Sequence, residues 1–198
     1  MLQIQFFDHD GRPTGPWLAA ARARQGLASI GIHTGRLRPP DRPLSRVPQL
    51  TYARELADLR RRFNIAMTYR TWQRADALAD ALSESADTLP RSTEPGFGHT
   101  HDDHEVRVVL QGQLAYLVPA SALHGWAAVV AGPGTWLALP PGLPHALKVV
   151  SDPDGALDVL SLYSKPAGWV PVAADMAMPS ALSDLAVSAR SPVSVPSA

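Results

Sequence analysis

The hydrophobic positions change their period along this chain. In the run from Thr51, Leu56, Leu59 and Phe63 recur at three- and four-residue spacing, with Arg60, Arg61 and Arg62 alongside. That is the stripe of an amphipathic helix. Residues 17–30, rich in Ala, Leu and Arg, predict another helix, which Gly26 weakens. Residues 74–88 repeat the theme with Leu78 and Leu82 until Pro90 stops it. A Pro-rich loop occupies 39–48, and one short strand is expected near residues 4–7. The first 90 residues therefore read as mostly helical.

After Pro95 short apolar runs alternate with Gly and Pro. Residues 106–110, 114–118, 126–130, 136–139, 146–150 and 157–163 read as strands. Residues 111–112, 132–134, 140–144 and 151–155 read as turns. Strands this short and this regularly spaced predict a small barrel or a double-sheet sandwich. From Pro179 the chain is mostly Ser, Ala and Pro, a composition expected to stay disordered. The expected organisation is one mainly β domain over 1–178. It has a helical part at 1–95, a barrel core at 96–165 and a tail at 179–198.

Composition narrows the chemistry. The 198 residues, 45% hydrophobic, suffice for one domain with a sizeable core. Lys plus Arg and Asp plus Glu are 18 each. A chain without net charge has no field to hold a polyanion, so neither nucleic acid nor an anionic membrane is an expected partner. The start MLQIQFFDHDGRP lacks the basic and apolar parts of a signal peptide. No stretch reaches the roughly 18 apolar residues of a membrane helix. A soluble cytoplasmic protein is the expectation. With no cysteine, disulfides, thiolate zinc sites and a cysteine nucleophile are excluded together. Any metal must be held by imidazole and carboxylate.

The segment Gly98-His-Thr-His-Asp-Asp-His-Glu-Val-Arg107 carries the candidate chemistry. In an extended chain alternate residues point to one side, so His99 and His101 can reach one ion. Glu105 opens the next strand and can bring a carboxylate into the same cavity. His145 follows Pro-Pro-Gly-Leu-Pro, a rigid turn that delivers it at a fixed angle. Three imidazoles and one carboxylate suit iron, nickel, manganese or zinc. If the ion is six-coordinate, two adjacent positions stay open for a substrate. The alternative is a polar loop that binds metal adventitiously. His104 and His124 read as surface histidines, and His104 should face away from the ion.

This spacing resembles the two cupin motifs: His99, His101, Glu105 and Gly112 in the first, Gly134, Pro140 and His145 in the second. Thr93 stands where the first motif usually has Gly, and Val149 where the second has a trailing Asn. Residues 99–112, 139–145 and 162–170 further resemble the acireductone dioxygenase family, through H-T-H, E-V-R and P-A-G-W. The resemblance covers about residues 90 to 175. It implies a jelly-roll-like cupin β-barrel with N-terminal helices packed around it. It also implies one divalent ion, Fe2+ or Ni2+, held by His99, His101, Glu105 and His145.

The implied reaction is cleavage of an acireductone, 1,2-dihydroxy-3-keto-5-methylthiopentene, by O2 in methionine salvage. Iron gives 2-keto-4-methylthiobutyrate and formate; nickel gives methylthiopropionate, formate and CO. A monomer or weak homo-oligomer is expected. By resemblance Arg107 is catalytic, stabilising the substrate dianion; the alternative is a rim salt bridge with Asp102 or Asp103. Phe97, Leu147 and Trp169 fall to the substrate pocket, although Trp169 also suits a core aromatic at a turn. Gly98 and His104 replace acidic residues common in the family, Leu147 replaces an aromatic, and Phe97 is out of register. These departures alter the substrate cradle. They leave open a cupin dioxygenase or isomerase acting on another enediol or diketone, and a non-catalytic cupin binding metal or a small ligand.

Overall fold

The computed structural model describes residues 1–38, 51–74, 98–120, 125–150, 156–168, 170–176, 178–179 and 181–182. In chain order the elements are β1 (Leu2–Phe7), β2 (Leu18–Ala19), α1 (Ala20–Ser29), β3 (His33–Arg36), α2 (Ala53–Phe63) and β4 (Met67–Arg74). There follow β5 (His99–Thr100), β6 (Glu105–Gln111), β7 (Gln113–Pro119), β8 (Trp126–Ala131) and β9 (Thr135–Leu139). The last three are β10 (Ala146–Val150), β11 (Ala156–Tyr163) and β12 (Val172–Ala173). One antiparallel sheet runs β10-β7-β8-β1-β2 and a second runs β3-β9-β6-β11-β4. The six expected strands of the second half are β6 to β11. No described helix is long and apolar enough to cross a membrane.

The register sorts side chains by the period of two. On the second sheet Glu105, Arg107 and Val109 of β6 lie level with Leu139, Leu137 and Thr135 of β9. Ser161 and Val159 of β11 continue the rows of Arg107 and Val109. These residues share one face. Val109, Leu137, Leu139 and Val159 pack there with Leu114, Tyr116, Val118 and Val129 of the first sheet. Val106, Val108 and Leu110 turn to the other face and meet Leu160 and Leu162 with helix α2. The sheet is thus buried on both faces, which is why β6 reads as a nearly continuous apolar run.

Helix α2 supplies that outer cover. Leu56, Leu59 and Phe63 are its buried stripe. Glu55 in the first turn and Arg60, Arg61 and Arg62 in the last complement the helix dipole. The helix ends at Asn64, whose φ of 51° is the left-handed value that asparagine tolerates. Helix α1 contributes Ala23 and Leu27 to the inner core beside Ile4.

The first half differs from a mostly helical reading. Its described residues hold α1 and α2 where expected, but also β2, β3 and β4 beyond the expected β1. Strand β3 reads HTGR and β4 reads MTYRTWQR. Both are sheet edges, where pairing with a neighbour rather than an alternating apolar pattern fixes the strand. The expected loop at 39–48, the turn at 151–155 and residues 75–88 of the expected third helix lie outside the described residues, as do Phe97, His124, Trp169 and 183–198.

The stretch assigned to a tail begins as packed structure. Leu182 is fully buried among Phe7, Leu117, Trp126, Ala128 and Ala146. Its amide donates to the Pro179 carbonyl at 2.9 Å. The scattered apolar residues of this Ser/Ala/Pro run show no helical or strand period, so the sequence does not reveal the docking. Leu182→Ala should destabilise the fold by roughly 2–5 kcal/mol, the range for truncating a buried leucine. Urea unfolding measures this, and a loss below about 0.5 kcal/mol would put Leu182 on the surface.

Candidate metal centre

Three backbone links bring the histidines together. His99 and His145 exchange both of their backbone hydrogen bonds at 2.9 Å, the narrow antiparallel bridge that sets two side chains next to each other. Before His145, Pro140-Pro141-Gly142-Leu143 makes a turn closed by the Leu143 amide on the Pro140 carbonyl at 3.3 Å. Gly142 takes φ of 75°, the value required at the third position of such a turn. The Gly142 amide donates to the His101 carbonyl at 2.8 Å, which ties the turn to the H-T-H segment. Gly98 fills a related need. A Cβ there would stand 2.7 Å from the Ala174 carbonyl oxygen, so only glycine lets the segment after β12 lie against β5.

The three rings are buried and face one another, with centroids 4.3 Å apart for His99–His145, 5.1 Å for His99–His101 and 5.5 Å for His101–His145. One nitrogen from each lies within 4.8 Å of the others. Glu105 Oε2 stands 2.8 Å from His145 Nε2 and 3.9 Å from His101 Nε2. The shorter contact is not directed as a hydrogen bond, and Oε2 and both Nε2 atoms have no hydrogen-bond partner. The Nδ1 of His145 is 3.0 Å from the Leu143 carbonyl, which can only accept. Nδ1 therefore carries the proton and Nε2 turns its lone pair inward.

Orphaned buried acceptors that converge are costly unless a cation joins them. Ligand atoms at roughly 2.0–2.2 Å from one ion lie roughly 3–4 Å apart, so a small contraction of this cradle suffices. Imidazole and carboxylate are a donor set for a divalent transition metal. The site fits such an ion.

No protein-family model matches the sequence. A 72-residue stretch is 31% identical to the acireductone dioxygenase of Leishmania braziliensis; it covers 36% of this chain and 20% of that protein. The chain thus spans a fifth of the length of this curated relative. Among solved structures, the acireductone dioxygenase of Bacillus anthracis with a cadmium ion in its active centre superposes with a TM-score of 0.65 at 17% identity, over 87% of this chain and 98% of that one. The fold is a cupin barrel. The resemblance to acireductone dioxygenase, carried in the sequence by H-T-H and E-V-R, is found again in both comparisons.

On this cupin frame Arg107 sits inside rather than at the rim. Its Nε donates to Glu105 Oε1 at 2.6 Å, and its Nη1 donates to Ser161 Oγ. Asp102 pairs instead with Lys165. Asp103 accepts from the His104 amide and from both the amide and the hydroxyl of Ser164 at 2.6–2.8 Å. It thereby fastens the loop between the histidines and Glu105 to the turn after β11. Leu147, level with Tyr116 on the inner face, is half-buried against the core. The ring of His104 packs on Phe63, outside the cradle. Phe97 and Trp169 lie outside the described residues.

Ser161, Tyr116 and Tyr163 also surround the site, and Asp103 supports it. Sequence reasoning did not single out the three hydroxyl residues, and it named Asp103 only as a possible partner of Arg107. The hydroxyl residues stand at inward positions of β7 and β11, so the period of two marks their face. Sheet register brings Ser161 to Arg107, and the packing of the two sheets brings Tyr116 near it.

Burial opposes ionisation of Glu105, but the Arg107 guanidinium and the histidines outweigh it and hold the carboxyl well below its usual range. Burial lowers the pKa of His101, which stays neutral. Burial also acts to lower His145, but the Glu105 carboxylate outweighs it and the pKa is raised. In metal-free protein this raised pKa contributes stability that is full below the ordinary value of 6.5 and lost as pH rises through the folded value. Metal binding through His145 would have the opposite dependence, because it would displace that proton. Co2+ affinity should therefore weaken on going from about pH 8 to about pH 6, with proton release on binding. Calorimetry in two buffers measures both quantities, and a pH-independent affinity would exclude imidazole ligation.

Proposed function

We infer that this protein is a metal-dependent dioxygenase that cleaves an acireductone with O2. The substrate is 1,2-dihydroxy-3-keto-5-methylthiopentene. The products are 2-keto-4-methylthiobutyrate and formate with Fe2+, or methylthiopropionate, formate and CO with Ni2+. The observation that carries this reading is the buried convergence of His99, His101 and His145, with the Glu105 carboxylate against His101 and His145 and Arg107 behind it. Similarity to acireductone dioxygenases in sequence and fold supports the substrate class.

In this proposal His99, His101, Glu105 and His145 hold the ion. The bound ion supplies a Lewis-acidic centre for two adjacent oxygens of an enediolate, which activates the substrate toward dioxygen. Arg107 has a fixed charge on the same face of β6 as Glu105, and it stabilises negative charge on substrate oxygens. Its bonds to Glu105 and Ser161 hold the guanidinium in one orientation. Leu147 forms an apolar part of the wall and excludes water from the reacting carbons. The family resemblance assigns Phe97 and Trp169, which lie outside the described residues, to substrate binding.

The iron-loaded protein should consume O2 on addition of the acireductone and release formate. The nickel-loaded protein should release CO. Absence of O2 uptake with either metal rejects the reaction. His145→Ala should abolish stoichiometric metal binding, and full occupancy in that variant would remove His145 from the ligand set. Arg107→Met should lower turnover by roughly 10²- to 10³-fold, the cost of losing an oxyanion donor. Because Arg107 touches Glu105, kinetics must be compared at equal metal content. Unchanged turnover would leave substrate charge to another group.

A further inference from the structure

Tyr116 lies on β7 with its side chain on the inner face, level with Leu147 on β10 and Val129 on β8. It is 1% exposed, and its ring centroid is 5.9 Å from that of His145. No acceptor meets its hydroxyl proton. Its packing neighbours Leu114, Val118, Val129, Leu137 and Leu139 are apolar. A phenylalanine would satisfy that packing equally well. A buried donor left without an acceptor costs about 1–3 kcal/mol, which calls for an explanation other than the fold.

The neighbouring charges show where a partner belongs. Arg107 turns a donor toward the phenol oxygen and Glu105 lies near enough for its charge to act there, while burial, the largest effect, raises the phenol pKa well above the ordinary value. The phenol therefore keeps its proton at neutral pH. Arg107 carries only donors, so it cannot accept that proton. The cradle thus holds a donor beside a guanidinium, both next to the atoms that would bind an ion.

The geometry points to Tyr116 as a substrate-binding residue whose hydroxyl donates to an oxygen of the enediolate beside Arg107. This rests on the reading of the site as one for a metal-chelating enediolate. A ligand with two adjacent oxygens, one negative, is the chemistry it would recognise. Tyr116 and Leu147 face each other across neighbouring strands, so the inner wall offers a hydroxyl and an apolar surface side by side.

The test uses Tyr116→Phe, which removes one oxygen, and acetohydroxamate as the bidentate probe. Both proteins are loaded with Co2+, and binding is followed by the visible spectrum of the metal. The variant should bind Co2+ as tightly as the parent and acetohydroxamate about tenfold more weakly, the scale of one lost hydrogen bond. Its metal-free melting temperature should be equal or higher, because an orphan group is gone. Equal acetohydroxamate affinity in the two proteins overturns the assignment, as does a parent that does not bind the probe. Weaker Co2+ binding or a lower melting temperature in the variant also overturns it, because the hydroxyl would then serve the cradle or the fold. If the parent binds acetohydroxamate, the variant binds it tenfold less well and neither turns over the acireductone, the reaction is rejected and the role of Tyr116 stands.

Discussion

A carboxylate in a dry barrel must be surrounded by positive charge, and Glu105 sets that requirement for this fold. The residue is almost wholly buried, and one oxygen is taken by Arg107. The other faces two imidazoles and has no hydrogen bond. Breaking a buried ion pair from one side costs on the order of 3–5 kcal/mol, so Arg107 cannot be exchanged without consequence for the fold. The two residues stand two apart on β6, which fixes both on the inner face and orients the rest of the site around them.

The remaining parts of the cradle are held by backbone rather than by side-chain packing. The His99–His145 bridge joins segments far apart in sequence, and the turn at 140–143 is tied to His101 by a single amide. Asp103 accepts three hydrogen bonds and fixes the intervening loop from outside. This division of labour leaves Nε2 of His101 and Nε2 of His145 turned inward beside Glu105 without a hydrogen-bond partner.

Much of this was legible in the sequence, for physical reasons that differ between parts. Strands β6 to β11 show themselves because each is a short apolar run closed by Gly or Pro. Helix α2 shows itself through Leu56, Leu59 and Phe63. Strands β3 and β4 do not, because edge strands with polar or arginine positions lack an alternating pattern. The nearness of His99, His101 and Glu105 follows from their spacing, and the family resemblance adds His145. The interior position of Arg107 follows from Glu105, but its bond to Ser161 depends on the pairing of β6 with β11. Register likewise decides that Tyr116 faces the site. The docking of Leu182 is a tertiary contact with no local signal.

The bridge between His99 and His145 bears on more than placement. Its two hydrogen bonds close a long loop of chain, and ligands on both sides of it would grip the same ion. Such an ion could not leave by stepwise loss of bonds from one flexible arm. Release would require the two segments to part, a local opening of the barrel mouth. The lifetime of a bound metal would then be governed by backbone breathing, and exchange between competing ions in the cell would be slow even where their affinities are close.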